Sequence, residues 1–187
     1  MSIAESLPPR SQLHDYARPQ DFMDCFSVEI SNRWACETAS MQELANLIFS
    51  INVPGAAQLM RLRDTIVKPL GLKTSDDLGA DSVSLQVDDQ QVGDRMGLFR
   101  IYSIDKHEII LGEDDTHQDF RVALLRSPGQ PAKLYVATCC RRHNWFGYLY
   151  LATILPFHKL IVKGMLDGAA KKIAAAGGPP VSTERAG

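Results

Sequence analysis

Alternating apolar and polar residues mark one strand near the start of the chain and four more in its second half. In the first strand Phe26, Val28 and Ile30 alternate with polar residues, which is typical of a strand with one buried face. The same period of two recurs in four later segments: Leu98 to Ile104, Glu108 to Leu111, Gln118 to Leu125 and Lys133 to Cys140. Short, turn-like joins separate these four segments, so they predict an antiparallel meander.

Two short helices are predicted between the first strand and the meander. Ser40 and Glu43 form a capping-box pattern, and the apolar residues that follow recur at helical spacing before Pro54. Pro54 then opens a second helix, which ends at Pro69. The polar stretch after it predicts a loop with one short strand, Val83 to Val87.

A long helix is predicted at the end of the chain, from Trp145 to Ala176. Pro156 is expected to kink this helix or to begin its second segment, since proline removes an amide donor. We expect glycines 164 and 168 to let another backbone, that of the sheet, approach closely. The apolar arc of the second segment is predicted to comprise Leu160, Ile161, Gly164, Met165 and Gly168.

This order of elements predicts an α+β fold in which an antiparallel β-sheet wraps around a long C-terminal helix, a helix-grip arrangement. Two short helices follow the first strand. Residues 13–176 form the single helix-grip domain, and residues 1–12 and 177–187 are predicted to be disordered tails because they lack apolar periodicity. The uncharged run from Trp145 to Phe157 is shorter than the roughly 20 apolar residues that a membrane span needs.

Composition excludes several classes of function. The formal net charge of −2 over 187 residues gives no field that favours nucleic acid. Four cysteines without metal-binding spacing and the lack of a secretory signal indicate free thiols and a cytoplasmic protein. No phosphate-binding loop, dinucleotide-binding fingerprint or metalloprotease motif is present, so the sequence implies no cofactor and no metal.

The turn around Glu113, Asp114 and Asp115 is the most polar join in the meander, and His117, Asp119 and Arg121 follow it closely. Carboxylates and an imidazole can ligate a divalent cation. The spacing matches no ligand template, however, and a solvated turn is the favoured interpretation. Alternation places His117, Asp119 and Arg121 on one face, where Asp119 and Arg121 are predicted to form a buried ion pair or to anchor a ligand.

Two histidines near the terminal helix are candidate acid/base groups, because imidazole titrates near neutrality. His143 stands just before the helix, and the adjacent Asn144 is suited to cap it. His158 lies beside the apolar arc and is expected to point toward the interior. Tyr148 is a further candidate ligand contact within the apolar run.

The chain resembles a bacterial family known as domain of unknown function 2867 over roughly Asp15 to Ala175. The resemblance rests on three groups of residues: Arg61-Leu-Arg-Asp64 with Pro69-Leu-Gly-Leu72; Leu111-Gly-Glu-Asp-Asp115 with His117 and Asp119-Phe-Arg121; and His143-Asn144, Gly147, Tyr150 and Pro156-Phe-His158. Family members often carry Leu where Gln118 stands and Arg where Tyr148 stands. The resemblance implies a START-like helix-grip architecture and no established activity.

Three functions remain open at this point. The first is binding of a small hydrophobic or amphipathic molecule in a cavity between sheet and terminal helix. The second is a cofactor-independent cyclase, hydratase or isomerase, which requires its acid/base and charge-stabilising residues to converge on one cavity. The third is an interaction module or peripheral membrane protein that uses the aromatic start of the helix. Polar contacts are expected from His143, His158, Tyr148, Arg121 and Asp119, of which His143, His158 and Arg121 are the catalytic candidates.

Overall fold

The computed structural model describes residues 1–55, 90–97 and 99–176. Its helices are α1 (Leu13–Tyr16), a short π-helical turn (Trp34–Thr38), α2 (Met41–Phe49) and α3 (Trp145–Ala176). Its strands are β1 (Ile3–Ala4), β2 (Phe22–Ile30), β3 (Arg95–Met96), β4 (Phe99–Ile104), β5 (Glu108–Asp114), β6 (Gln118–Ser127) and β7 (Ala132–Arg142).

The seven strands form one antiparallel sheet in the order β1-β2-β7-β6-β5-β4-β3. Strands β4 to β7 are consecutive neighbours, which confirms the predicted meander, and β2 returns to pair with β7 from Phe22↔Cys140 to Ile30↔Ala132. Because every pairing is antiparallel, side chains of the same parity in adjacent strands share a face. The sheet therefore presents two distinct faces, here called inner and outer.

The inner face carries the main hydrophobic core. Phe26, Val28, Leu134 and Val136 belong to one buried cluster together with side chains of α2 and α3. Helix α2 begins with the predicted capping box, in which Ser40 and Glu43 each satisfy the other's backbone amide. The sheet with a long C-terminal helix across one face confirms the predicted α+β helix-grip class.

The outer face is covered by the N-terminal segment. Leu13, Cys25, Ile110 and Cys139 form a second buried cluster on this face, and Leu7, Tyr16 and Tyr102 pack against it. The segment is also fixed by polar contacts, since the buried carboxylate of Glu108 accepts a 2.7 Å hydrogen bond from the backbone amide of Gln12. Burial raises the pKa of Glu108, although hydrogen bonds from Ser11 and Gln12 oppose this rise.

The structure therefore corrects the prediction that residues 1–12 form a disordered tail. Ile3 and Ala4 make strand β1 on β2, and Glu5 pairs with Lys133 on β7 at 2.5 Å. Two prolines and a polar composition suggested disorder, but the few apolar residues of this segment contact the sheet. The domain thus includes these residues.

The buried face of α3 differs from the predicted arc. Val162, Leu166, Ala169 and Ile173 are buried, whereas Leu160 is 63% exposed. Gly164 and Gly168 contact side chains from the segment after α2 rather than the backbone of the sheet. A Cβ atom at Gly164 would lie 2.9 Å from Val53, and one at Gly168 would lie 2.5 Å from Ile51.

Helix α3 is continuous from Trp145 to Ala176, with Pro156 inside it. The second predicted helix after Pro54 and the predicted strand from Val83 to Val87 lie outside the described residues. The same is true of the predicted C-terminal tail, residues 177–187.

Candidate functional site

Arg121 lies at the centre of a polar cluster on the outer face and is only 7% exposed. Its guanidinium carbon stands 3.5 Å from the ring centre of Tyr102 and 4.6 Å from that of Tyr16. One of its nitrogens pairs with Asp114 at 2.7 Å, and the same nitrogen donates to the Phe120 carbonyl at 2.8 Å. The cation is thus enclosed between two aromatic rings and neutralised by one carboxylate.

Gly112 provides the space for Arg121, which is its cross-strand partner. A Cβ atom at this glycine would lie 2.2 Å from the Phe120 carbonyl oxygen and 2.9 Å from Cδ of Arg121. Any larger residue would therefore collide with the strand and with the guanidinium side chain. The sequence Leu-Gly-Glu-Asp-Asp places this glycine two residues before the carboxylate that Arg121 binds.

The electrostatics of this cluster favour the charged pair. Burial raises the pKa of Asp114, but hydrogen bonds from Arg121 and Tyr102 together outweigh it, so the net pKa lies below the usual range. Burial also raises the pKa of Tyr16 to about 12, despite the nearby arginines. The tyrosine beside Arg121 therefore remains a neutral phenol across the physiological range.

Asp119 pairs with His143 rather than with Arg121. Nε2 of His143 lies 3.0 Å from the Asp119 carboxylate. The predicted Asp119–Arg121 ion pair is therefore wrong, because Asp114 on the neighbouring strand reaches the guanidinium instead.

The turn between β5 and β6 is joined to the start of α3. The Asn144 side chain lies 2.7 Å from Nδ1 of His117, and its carbonyl oxygen accepts from the Gly147 amide at 3.1 Å. The latter bond confirms the predicted cap. At Gly147 a Cβ atom would lie 2.5 Å from the His117 carbonyl, so this glycine permits the close approach.

A second polar group lies on the inner face, beneath α3. Nε2 of His158 is 3.4 Å from Oδ1 of Asp24 on β2. Thr138 on β7 is the cross-strand partner of Asp24, so the two side chains stand next to each other on the same face. Oδ2 of Asp24 and Oγ1 of Thr138 are both buried and have no hydrogen-bond partner among the described residues.

The predicted site residues therefore fall into three places. Arg121, Asp119 and His143 lie together on the outer face, and His158 lies on the inner face. Tyr148 is 52% exposed on α3, where the Arg142 guanidinium carbon lies 4.3 Å from its ring centre. The sheet separates Arg121 and His143 from His158, so they cannot act on one substrate in a single cavity.

Sequence reasoning missed Asp24 and Thr138. A signal was present, because Asp24 occupies an inward position of β2, in phase with Phe22, Phe26 and Val28. A carboxylate at such a position is costly unless something binds it. Thr138 carried no comparable signal, since threonine is common in strands.

Metal and thiol chemistry have little support in the described ranges. Residues 1–55, 90–97 and 99–176 contain no group of three or more His, Cys, Asp or Glu side chains arranged to hold a metal ion. Burial raises the pKa of Cys25 and Cys140 to about 12 and that of Cys139 to about 11. These thiols are therefore poor nucleophiles at neutral pH.

Residues 16–165 match the family described as Protein of unknown function (DUF2867). The chain belongs to this family. Neither the curated proteins nor the solved structures yield a match. Within the described part of the matched region, many of the residues on which the sequence resemblance rested build the Arg121 cluster and the junction with α3.

Proposed function

We propose that this member of the DUF2867 family binds an amphipathic small molecule between the inner face of the sheet and α3. The observation that carries this proposal is a pair of buried oxygens, on Asp24 and Thr138, that have no hydrogen-bond partner in the described part of the chain. The ligand's polar end would donate hydrogen bonds to these oxygens, and its apolar part would lie along the core.

Unpaired buried polar atoms are costly, since each loses its bonds to water without a replacement, at about 1–3 kcal/mol. Two such atoms on adjacent strands are a pair that one polar group can satisfy. Thr138 is 4% exposed and the Asp24 side chain is 11% exposed, so the shared environment is largely dry. A hydrogen bond from a ligand gains strength in such surroundings.

The rows on both sides of this polar pair are apolar, which is why the ligand should be amphipathic. The sheet register places three residues in the inner-face row on one side, Phe26, Val136 and Leu124, and three on the other, Phe22, Cys140 and Phe120. Apolar surface with few convergent polar groups is typical of small-molecule sites.

His158 supports the site from the helix. Its Nε2 atom faces Oδ1 of Asp24, while Oδ2 of the same carboxylate has no partner among the residues that the structure describes. The imidazole therefore orients the carboxylate and leaves one oxygen for the ligand. The Asp24 carboxylate only accepts hydrogen bonds, whereas the Thr138 hydroxyl can both accept and donate. The site therefore favours a hydroxyl or ammonium end over a carboxylate end, because a carboxylate offers no proton to Oδ2 of Asp24.

A series of ligands with the same ten-carbon chain tests the proposal. Decanol and decylamine carry a donor, whereas decyl methyl ether and decanoate do not donate at neutral pH. We expect the two donor ligands to bind about tenfold more tightly in calorimetric titrations, because one buried hydrogen bond to a charged group contributes about that factor.

The Asp24→Asn variant should remove most of this preference, because an amide that can turn its own donor toward the ligand no longer selects for donors. Asp15→Asn is the matched control, since Asp15 is exposed on α1. Equal affinity for all four ligands in the wild-type protein would contradict the proposal. Retention of the donor preference in Asp24→Asn would also contradict it.

A further inference from the structure

The first half of α3 exposes a row of large apolar side chains. Trp145 is 76% exposed, Leu149 56% and Leu160 63%, with Tyr148 and Phe157 beside them at 52% and 43%. Trp145, Leu149 and Leu160 lie on one face of the helix, with Ala152 and Pro156 between them at steps of three or four residues. We call these seven residues the α3 apolar stripe.

The α3 apolar stripe is unusual because helices of globular proteins normally bury their apolar face. In the second half of α3 the buried residues Val162, Leu166, Ala169 and Ile173 follow that rule. In the first half, from Trp145 to Leu160, only Gly147 and Leu151 are buried. A contiguous exposed patch of this kind indicates a surface that another apolar phase covers.

The charges around the stripe indicate what kind of apolar partner covers it. No aspartate or glutamate occurs between Asp119 and Asp167 in the sequence. Arg142 lies against Tyr148 at one end of the stripe, and Lys159 and Lys163 are exposed at the other. The helix thus combines apolar and aromatic side chains with flanking cations, which matches the chemistry of an anionic lipid surface.

A second copy of the chain fits this surface less well. Two stripes packed antiparallel about a twofold axis would bring Arg142 of one copy near Lys159 and Lys163 of the other. Like charges in such an interface are repulsive, and the stripe offers no acidic residue to compensate.

The geometry also distinguishes a helix lying in the interface from one that spans the bilayer. Although α3 is long and apolar enough to cross a membrane by composition, its second half is held in the protein core by Leu166, Ala169 and Ile173. From Trp145 to Leu160 the stripe extends over about 22 Å, at 1.5 Å per residue. The stripe therefore has one side for lipid and the other attached to the domain.

We propose that the α3 apolar stripe docks the protein onto membrane surfaces that contain anionic phospholipids. The helix lies parallel to the surface, and Trp145 and Tyr148 insert at the level of the headgroups, where aromatic residues with a polar edge are favoured. Arg142, Lys159 and Lys163 contact lipid phosphates. This proposal does not depend on the ligand site beneath the helix.

Flotation with phosphatidylcholine vesicles, with and without one quarter phosphatidylglycerol, tests the docking surface. We expect the wild-type protein to float with the anionic vesicles and to remain largely unbound with the neutral ones. Leu149→Glu should lower the vesicle partition coefficient about tenfold, because it replaces a membrane-facing apolar side chain by a charge. Lys159→Glu should lower it about fivefold or more, since one basic residue near an anionic surface contributes about that factor.

Val92→Glu is the matched control, because Val92 is 61% exposed and lies outside α3. It should bind vesicles as the wild-type protein does. Trp145 adds a direct reading: its emission should shift to the blue on vesicle binding, and Trp145→Phe should abolish that shift while the buried Trp34 remains.

Two outcomes would overturn the proposal. One is a wild-type protein that stays unbound with anionic vesicles at low salt. The other is a dimer in sedimentation velocity that Leu149→Glu dissociates, which would assign the stripe to a second copy of the chain instead.

Discussion

One polar group on each face of the sheet illustrates a different bonding state. On the outer face, Arg121 is paired with Asp114 and enclosed by two tyrosine rings. On the inner face, Asp24 and Thr138 are buried just as firmly but each has an oxygen without a partner among the described residues. Buried polar groups whose bonds are complete hold a fold together, whereas incomplete ones leave bonds for a ligand.

The comparison changes how the most polar stretch of the chain is understood. The segment from Leu111 to Arg121 is the obvious place to look for a binding site, since it holds four carboxylates, a histidine and an arginine. In the structure, Asp114, Asp119, His117 and Arg121 contact partners within the protein. The segment therefore joins strands β5 and β6 to helix α3 and supports the fold.

The largest effect on stability is expected from Gly112→Ala, which disturbs the Arg121 cluster on the outer face. The added Cβ atom would collide with the Phe120 carbonyl at 2.2 Å and with Arg121 at 2.9 Å. Because the carbonyl belongs to the sheet backbone and cannot turn away, we expect a loss of about 3 kcal/mol in the free energy of unfolding. Urea denaturation measures this change.

Gly129→Ala is the control for that variant, since the nearest atom to its added Cβ lies 3.6 Å away, an ordinary contact. Its free energy of unfolding should change by less than about 1 kcal/mol. If the two alanine variants were equally stable, the outer cluster would not depend on the space at Gly112.

A smaller change in the free energy of unfolding, of opposite sign, is expected from Thr138→Val, which acts on the inner face. Valine has nearly the same shape and removes a buried hydroxyl that has no partner within residues 1–55, 90–97 and 99–176. We expect the ligand-free protein to become more stable by about 1 kcal/mol in urea denaturation, while decanol binds more weakly.

Thr153→Val is the matched control, because the Thr153 hydroxyl is exposed on α3 and donates to the Leu149 carbonyl at 2.9 Å. It should leave decanol binding unchanged. Destabilisation by Thr138→Val with unchanged decanol affinity would show that the hydroxyl has a structural partner and does not serve a ligand.

The smallest effect is the pH dependence of stability that the Asp114–Arg121 pair on the outer face causes. Although burial raises it, the folded-state pKa of Asp114 lies below the ordinary value of 3.8, because Arg121 and Tyr102 donate hydrogen bonds to its carboxylate. Its pairing with Arg121 therefore stabilises the fold fully above about pH 4 and loses this effect as pH falls through the lowered pKa.

Unfolding free energies measured from pH 5 downward should fall more steeply for the wild-type protein than for Asp114→Asn. The difference should be modest, since the Asp114 side chain is 55% exposed and water screens the pair. Asp15→Asn should follow the wild-type curve. Parallel curves for wild type and Asp114→Asn would mean that the pair contributes nothing in acid.

Periodicity explains how much of the fold could be predicted. Alternation in strands β2 and β4 to β7 and the capping box of α2 are local signals, because each records which face of an element is buried. The prediction that residues 1–12 form a disordered tail was wrong because the apolar residues of this segment, Ile3, Ala4 and Leu7, have no period of their own. Leu7 packs against the outer face of the sheet, and Ile3 and Ala4 pair with its edge strand, so only the assembled sheet orders this segment.

The candidate site shows the same division. His158 points toward the inner face of the sheet, as the sequence predicted. The four predicted contact residues do not lie in one site, however: His143, His158, Tyr148 and Arg121 are in separate places. The distance between His143 and His158 in the sequence carries no information on which face of the sheet each one joins. That choice depends on strand parity and on the path of α3 across the sheet.

By itself, the sequence determined the class of fold and the order of its main elements, because hydrophobic burial leaves a periodic record in each strand and helix. Only the tertiary structure decided which polar residues meet. Asp114 reaches Arg121 and Asp24 reaches His158 through strand pairing and helix placement, which join residues that are up to 134 positions apart. The Arg121–Asp114 pair and the placement of Asp24 beside Thr138 are therefore properties of the packed sheet.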